Sequence, residues 1–270
     1  MAERLPISTG HCTVERDGHV VIVTMNRPEA RNALSSAMLV GMADAFAYIS
    51  RTPDVRVGIL TGAEGHFCAG ADLKAMSAPP DDERVRRRMA EIPNFHWKGL
   101  LRESVPTKPL ICAVEGYAVA GGTELLLGTD LRVVAESAVL GLYEAKRGLY
   151  PMGGSVVRLP RQIGHAAAME ILLTARPVTA REALAMGLVN KVVPDGRALA
   201  AARELADRIA ANAPLSVQAI LRAHRETWHL PEEEALKVSD EIGWPVFDSK
   251  DAAEGTRAFR EKRDPVFTGE

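Results

Sequence analysis

Short apolar runs alternate with segments of helical spacing over residues 1–196. A hairpin is predicted for CTVERDGHVVIVTM, in which Asp17 and Gly18 join two β-rich runs and tolerate the positive φ angles of a tight turn. The next segment, LSSAMLVGMADAFAYIS, carries apolar residues at helical spacing. Further strands are predicted for the short apolar runs VRVGILTG, KPLICAVEG, LRVVAES, AVLGL and LVNKVVP, which turn residues separate from their neighbours.

Residues 197–270 show helical spacing only. Four helices are predicted there: ALAAARELADRIAANA, SVQAILRAHRETW, EEEALKVSDEI and DAAEGTRAFREK. A further helix is predicted for GSVVRLPRQIG, and Thr179 and Glu182 have the spacing of a capping box before REALAM. Mixed strands and helices followed by helices alone predict an α/β core over residues 1–196 and a helical C-terminal region over residues 197–270.

Composition is ordinary for a soluble globular chain, with 47% hydrophobic and 25% charged residues among 270. The net charge of -2 gives no electrostatic reason to expect nucleic acid or an anionic membrane as a partner. No apolar run approaches the roughly 18 residues of a membrane span, and the N-terminus lacks the apolar segment of a secretory signal, so we expect a cytoplasmic protein. The three cysteines are widely spaced and predict buried thiols rather than disulfides or a zinc site.

Two glycine-rich turns follow predicted strands, in GILTGAEGHFCAGADLKAM and AVEGYAVAGGTELLL. Glycine beside the start of a helix lets a ligand approach backbone N–H groups that have no partner within the helix. Each turn could therefore present a donor to an anionic oxygen, or the glycines could serve only to make tight turns. Neither is a nucleotide fingerprint, because Gly65 and Gly70 have the Walker spacing but Ala71 and Asp72 follow.

Two glutamates stand next to predicted core segments. Glu124 begins an apolar helix, and Glu144 follows the apolar strand AVLGL. Most glutamates are solvated surface charges, and a buried one is costly without a partner or a purpose. A pair with raised pKa values in a dry cleft could act as general acid and base. The sequence has neither an HExxH zinc motif nor a GxSxG nucleophile elbow.

FCAGADLKAM, AVEGYAVAGGTEL and GLYEAKRGLYPMGG, in this order, resemble the enoyl-CoA hydratase and isomerase (crotonase) superfamily. VTMNRPEARNALS near the start and AFREKRDPVF near the end resemble other segments of that superfamily, so the similarity covers essentially the whole chain. It implies an α/β crotonase-like fold of repeated ββα units in two sheets. The C-terminal helical region is then expected to form homotrimers, in some members paired as dimers of trimers.

The resemblance also implies a reaction. Two backbone N–H groups, here those of Ala71 and Gly121, would hold the oxygen of a thioester enolate. Hydratases of the superfamily use two glutamates, which Glu124 and Glu144 match, to hydrate a 2-enoyl-CoA to a 3-hydroxyacyl-CoA in fatty-acid, sterol or related acyl-CoA breakdown. Glu124 would activate the water that attacks C3, and Glu144 would protonate C2. Coenzyme A is part of the substrate, and no separate cofactor or metal ion is expected.

Contacts to coenzyme A are implied for two turns and one C-terminal lysine: Ala30, Arg31 and Ala33, then Ala69, Asp72, Leu73 and Lys74, and a phosphate contact from Arg31 or from Lys262 of a neighbouring subunit. The chain departs from the usual pattern at Ala120, where glycine is common, and at Met152, in a loop one residue shorter than usual near the expected path of the acyl chain.

Two other functions fit the same superfamily. One is an enoyl-CoA isomerase or a carnitinyl-CoA-type dehydratase. The other is a relative without catalysis that binds acyl-CoA or RNA, against which the two glutamates and the absence of a basic patch count.

Overall fold

The computed structural model describes residues 2–72, 80 and 82–270. The strands are β1 (Glu3–Arg4), β2 (Cys12–Asp17), β3 (Val20–Met25), β4 (Val57–Gly62), β5 (Leu110–Val114), β6 (Tyr117–Val119), β7 (Leu131–Ala135), β8 (Val139–Gly141), β9 (Val178–Thr179) and β10 (Lys191–Val193). The helices are α1 (Ser36–Arg51), α2 (Glu83–Glu91), α3 (Phe95–Gly99), α4 (Gly121–Leu127), α5 (Ser155–Gln162), α6 (His165–Thr174), α7 (Ala180–Ala185), α8 (Ala198–Ala210), α9 (Pro214–Thr227), α10 (Glu232–Phe247) and α11 (Lys250–Glu261).

Within the described residues the strands form two sheets. The larger has the order β1-β2-β3-β4-β5-β7-β10, in which β1, β2 and β3 pair antiparallel and every later pairing is parallel. The smaller has the order β6-β8-β9. Mixed sheets covered by helices, with helices alone after β10, confirm the predicted α/β class.

The N-terminal hairpin is confirmed, but its turn lies one residue later than predicted. Asp17 still pairs with Val20, so Gly18 and His19 form the two-residue turn. Gly18 has φ +60°, a conformation that glycine adopts without steric cost. Asp17 is the last residue of β2, since its backbone still pairs with Val20 of β3.

Side chains alternate between two buried layers along the parallel strands. Leu60 and Cys112 point into the layer shared with α1, whereas Ile59 and Ile111 point into the layer covered by α8. Because both faces of these strands are buried, their sequences are continuous apolar runs rather than alternating ones. This explains why the apolar runs predicted β4 and β5 correctly.

Helix α8 packs on the sheet through alanines at four-residue spacing: Ala198, Ala202 and Ala206. The carboxylate of Glu115, just after β5, accepts hydrogen bonds from the N–H groups of Gly196 (3.0 Å) and Ala198 (2.9 Å) and so caps the start of this helix. The predicted boundary between residues 196 and 197 falls in the turn before α8.

Other sequence predictions have mixed outcomes. The capping box of Thr179 and Glu182 is present at the start of α7. The helix predicted for EEEALKVSDEI continues to Phe247 and includes Pro245 in its last turn. All three cysteines are buried and free. Within the described ranges, none of the helices combines the length and apolar character required to cross a bilayer.

Candidate active site

In the first glycine-rich turn, the backbone N–H of Ala71 points away from Leu34, the residue with which Ala71 forms a parallel β-bridge. Leu34 N–H donates to the carbonyl oxygen of Gly70 (2.8 Å), and Asp72 N–H donates to the carbonyl oxygen of Leu34 (3.1 Å). Both bonds of this parallel bridge are made by the residues flanking Ala71, so the N–H of Ala71 lies on the opposite side. On that side is the start of α4: a Cβ atom added to Gly121 would lie 3.7 Å from the Ala71 nitrogen.

The second glycine-rich turn runs directly alongside the first. Cys68 N–H donates to the carbonyl oxygen of Tyr117 (2.7 Å), and Val119 N–H donates to that of Cys68 (3.0 Å). These bonds form on β6, a three-residue strand that the sequence did not reveal because it is too short to show a period. Helix α4 begins at Gly121, whose N–H belongs to the first turn and has no acceptor within the helix. The structure thus brings Ala71 and Gly121 together.

Glu124 lies on the first turn of α4 and is only 5% exposed. Its Oε1 accepts two hydrogen bonds from Ser155, one from the backbone N–H (3.2 Å) and one from the hydroxyl (2.9 Å). Gly153 packs against the same carboxylate, and a Cβ added there would lie 2.5 Å from Oε2. The carboxylate is therefore held by the loop and helix that follow residue 150, a contact that sequence reasoning missed.

Glu144 follows β8 and begins a short 3-10 helix, Ala145–Arg147. Its side chain is half-buried, and its Oε2 is buried without a hydrogen-bond partner among the described residues. Burial raises the pKa of Glu144, and the nearby negative charge of Glu124 raises it further. The structure therefore brings the two glutamates into electrostatic contact in one site.

The hydroxyl of Thr123 connects α4, which carries Glu124, to β8, which precedes Glu144. Its hydroxyl accepts a hydrogen bond from the N–H of Gly141 (3.1 Å) and is directed at the carbonyl oxygens of Ala118 (2.6 Å) and Gly141 (3.0 Å). Because Ala118 is on β6 and Gly141 ends β8, this buried hydroxyl links α4 to both strands. Nothing in the sequence around Thr123 indicated this role.

The two turns predicted to contact coenzyme A are adjacent. Ala69 N–H donates to the carbonyl oxygen of Arg31 (3.0 Å). Arg27 forms an ion pair with Asp72 (2.8 Å) and donates to the carbonyl oxygen of Ala33 (3.3 Å), so Asp72 also has a structural partner. Ala30 ends the short 3-10 helix before Arg31.

Three predicted contacts are left. Lys262, which was predicted to act from a neighbouring subunit, follows α11 with an exposed side chain, and within this chain α11 packs against α10. Leu73 and Lys74 lie outside the described residues.

Chemically, the site combines two neighbouring backbone N–H groups with two carboxylates whose charges interact. Two N–H groups aimed at one point can hold an oxygen that becomes negatively charged during a reaction. Carboxylates in different environments can divide the roles of acid and base. Within the described residues, no cluster of three or more histidine, cysteine, aspartate or glutamate side chains could hold a metal ion.

Comparison with known proteins identifies relatives over nearly the whole chain. The sequence profile of a family described as Enoyl-CoA hydratase/isomerase matches residues 15–270. The enoyl-CoA hydratase EchA19 of Mycobacterium tuberculosis is 56% identical over 94% of this chain and 95% of its own length. A carnitinyl-CoA dehydratase of Salmonella enteritidis is 39% identical over 94% of this chain and 97% of its own length. The crystal structure of the enoyl-CoA hydratase EchA1 from Mycobacterium marinum superposes with a TM-score of 0.88 at 41% identity, covering 97% of this chain and all of that one (100%).

Proposed function

The chain belongs to the enoyl-CoA hydratase/isomerase family, whose substrates are acyl-CoA thioesters, and we propose that it adds water to a 2-enoyl-CoA to form a 3-hydroxyacyl-CoA. The observation that carries this proposal is the coupling of Glu124 and Glu144 beside the adjacent N–H groups of Ala71 and Gly121. An isomerase that only moves a proton does not require two carboxylates.

In the proposed reaction the thioester oxygen accepts hydrogen bonds from the Ala71 and Gly121 N–H groups. Glu124 takes a proton from water while the hydroxide oxygen bonds to C3, and the C2–C3 π electrons move into the enolate. Glu144 then gives a proton to C2. Glu124 then releases its proton to solvent and Glu144 regains one from solvent, so the net result is addition of one water molecule across the double bond without an external oxidant or reductant.

The environments of the glutamates support this division of roles. Hydrogen bonds to a carboxylate stabilise its charged form, and Glu124 accepts two of them from Ser155. Oε2 of Glu144 has no hydrogen-bond partner in the described part of the chain, and the pKa of Glu144 is raised by burial, which favours the protonated form that an acid must have.

The coenzyme A portion would lie along the adjacent turns that contain Ala30, Arg31 and Ala33 and then Ala69 and Asp72. Arg31 also lies over the ring of Tyr117, with 5.6 Å between the guanidinium carbon and the ring centroid. This places an aromatic and a cationic side chain next to the path proposed for the nucleotide. Arg31→Ala should therefore raise KM for the thioester and leave kcat nearly unchanged.

The acyl group would pass the exposed apolar side chains that follow Glu144. Leu149, Tyr150 and Met152 are 50%, 63% and 50% exposed, and side chains of this type favour an apolar ligand. We propose a substrate from fatty-acid, sterol or related acyl-CoA breakdown. A panel of 2-enoyl-CoA thioesters from crotonyl to sterol side chains would identify the class by kcat/KM.

The assembly proposed for this function is a homotrimer, alone or paired as a dimer of trimers. Helices α10 and α11 expose large aromatic side chains: Trp244 (65%), Phe247 (73%) and Phe259 (86%). Large apolar side chains exposed together mark interaction sites. Light scattering should give a trimer or hexamer mass, and a monomer at micromolar concentration would refute the assembly.

The reaction is tested by following loss of the conjugated enoyl-thioester absorbance and incorporation of oxygen-18 from labelled water. Glu124→Gln and Glu144→Gln should each lower kcat by at least about 100-fold, the lower end of a general acid or base contribution. Retained turnover in both variants would refute the mechanism. Double-bond migration without oxygen-18 in the product would instead identify an isomerase.

A further inference from the structure

Helix α5 presents two side chains to Glu124 from neighbouring turns. Ser155 begins the helix, is fully buried, and donates both its N–H and its hydroxyl to Oε1 of Glu124. Arg158 lies three residues later on the same face, and its positive charge interacts with the negative charge of Glu124. The first turn of α5 therefore offers Glu124 two hydrogen-bond donors, the positive end of a helix dipole and a cation.

Arg158 occupies an unusual environment for an arginine. One nitrogen, Nη2, donates to the carbonyl oxygen of Leu101, while Nη1 is buried without a hydrogen-bond partner among the described residues. Burial lowers the pKa of Arg158, and Glu124 is the group that most opposes this effect. A buried guanidinium is costly unless a negative charge compensates for it. Glu124 is the carboxylate whose charge interacts with this guanidinium.

We propose that Ser155 and Arg158 are positioning residues that fix the orientation of Glu124 and compensate its negative charge. This inference rests on the proposed hydration, in which Glu124 must accept a proton while Glu144 donates one. The charged groups that face Glu124 are Arg158 on α5 and Glu144 after β8, and Arg102 acts on Arg158 in turn. Removing Arg158 would take away this positive charge and leave the negative charge of Glu144 acting on Glu124.

The test compares Arg158→Gln with Arg158→Lys and Arg161→Gln by measuring kcat from about pH 5 to about pH 8. Arg161 is a matched control because it lies on the same helix, is exposed, and lies over the ring of Trp228 instead of facing Glu124. An opposite charge close to a carboxylate shifts its titration by about one unit or more. We therefore expect Arg158→Gln to lose more kcat relative to wild type at the acid end than at the alkaline end, by up to about 10-fold.

Arg158→Lys should return the acidic limb toward that of wild type, and Arg161→Gln should leave the profile unchanged. A uniform loss of kcat at all pH values in Arg158→Gln, or the same profile change in Arg161→Gln, would overturn the inference. Folding of each variant is checked by thermal melting. If Arg158→Gln fails to fold, the pH profiles of Arg158→Lys and Ser155→Ala test the inference instead.

Ser155→Ala removes the hydroxyl donor and keeps the backbone N–H. It should lower kcat and move the acidic limb to higher pH without changing KM, because Ser155 bonds to the carboxylate of Glu124. An unchanged acidic limb in Ser155→Ala refutes its positioning role. These outcomes are separate from failure of the proposed function, since in that case the wild-type protein itself would not hydrate any 2-enoyl-CoA.

Discussion

Adjacent glycines at the start of α4 should respond oppositely to alanine substitution, because an added methyl group meets different surroundings at each. At Gly122 the new Cβ would lie 2.4 Å from the carbonyl oxygen of Cys68 and 3.0 Å from its Cβ. These neighbours belong to a turn that is hydrogen-bonded to β6 and cannot swing away. Overpacking of this kind costs about 1–3 kcal/mol, and the helix propensity of alanine returns at most about 1 kcal/mol. We expect Gly122→Ala to lower the free energy of unfolding by about 1–2 kcal/mol.

At Gly121 the new Cβ would lie 2.9 Å from Cδ1 of Leu34, which is the end of a flexible side chain. A rotation of Leu34 can relieve this contact, so the free energy of unfolding should stay within about 1 kcal/mol of wild type. The same methyl group would stand 3.7 Å from the nitrogen of Ala71, in the space proposed for the thioester oxygen. Loss of one such oxyanion contact costs about 2.7–4 kcal/mol in the transition state, or about 100- to 1,000-fold in kcat.

The pair is measured by urea unfolding and by steady-state hydration of the best enoyl-CoA. The expected pattern is a stable but nearly inactive Gly121→Ala and a destabilised Gly122→Ala. If Gly121→Ala keeps more than about one tenth of wild-type kcat, the donor assignment is wrong. If Gly122→Ala unfolds at the wild-type urea concentration, the close contact with Cys68 is not the reason for glycine there.

Three further changes test the surroundings of this site. Ala120 has φ +51° and ψ -121°, a strained conformation that costs about 1–3 kcal/mol. Ala120→Gly should relieve this strain and, after subtraction of the entropy cost of glycine, raise the free energy of unfolding by about 1 kcal/mol. A decrease in the free energy of unfolding would contradict the strain. Gly153→Ala should push the carboxylate of Glu124 out of place and lower kcat about 100-fold with little change in KM, whereas unchanged kcat would show that the loop yields instead. Because the pKa of Glu144 is raised in the folded state, the native protein binds more protons than the unfolded chain between the two pKa values, and stability falls as pH rises through that window. Glu144→Gln should remove this fall. In urea unfolding, wild type and variant should have the same stability at pH values below the pKa of Glu144 in the unfolded chain, and the variant should be more stable at pH values above the pKa of Glu144 in the folded protein.

Prediction from sequence worked best for strands whose pattern of apolar residues can be recognised without knowing which strands they pair with. VGILTG and LICAV are buried on both faces, and a continuous apolar run between turn residues identifies such strands without knowledge of their partners. Gly121 and Glu124 were also singled out correctly as unusual, since glycine weakens a helix and a charge among leucines is costly. Local chemistry was sufficient for these features.

Prediction failed where a feature depends on contacts between distant segments. The strand β6 has three residues, and its extended conformation depends on pairing with β8 and with the Cys68 segment. Ser155 reaches Glu124 across 31 positions of sequence, and the serine hydroxyl alone gives no indication of that partner. Propensity and periodicity describe neighbours along the chain, so they cannot find a hydrogen bond that only the fold creates.

The register between β6 and β8 is the structural reason why the proposed donor Gly121 and the proposed acid Glu144 lie near each other. These strands are parallel neighbours, with Val119 opposite Gly141. The segments that follow them, one leading to Gly121 and the other to Glu144, therefore leave the small sheet at the same level. A slip of one residue would displace one segment by about 3.3 Å, which is comparable to the length of a hydrogen bond and would separate the proposed donor from the proposed acid. The hydroxyl of Thr123 bonds to both strands at this level and thereby opposes such a slip.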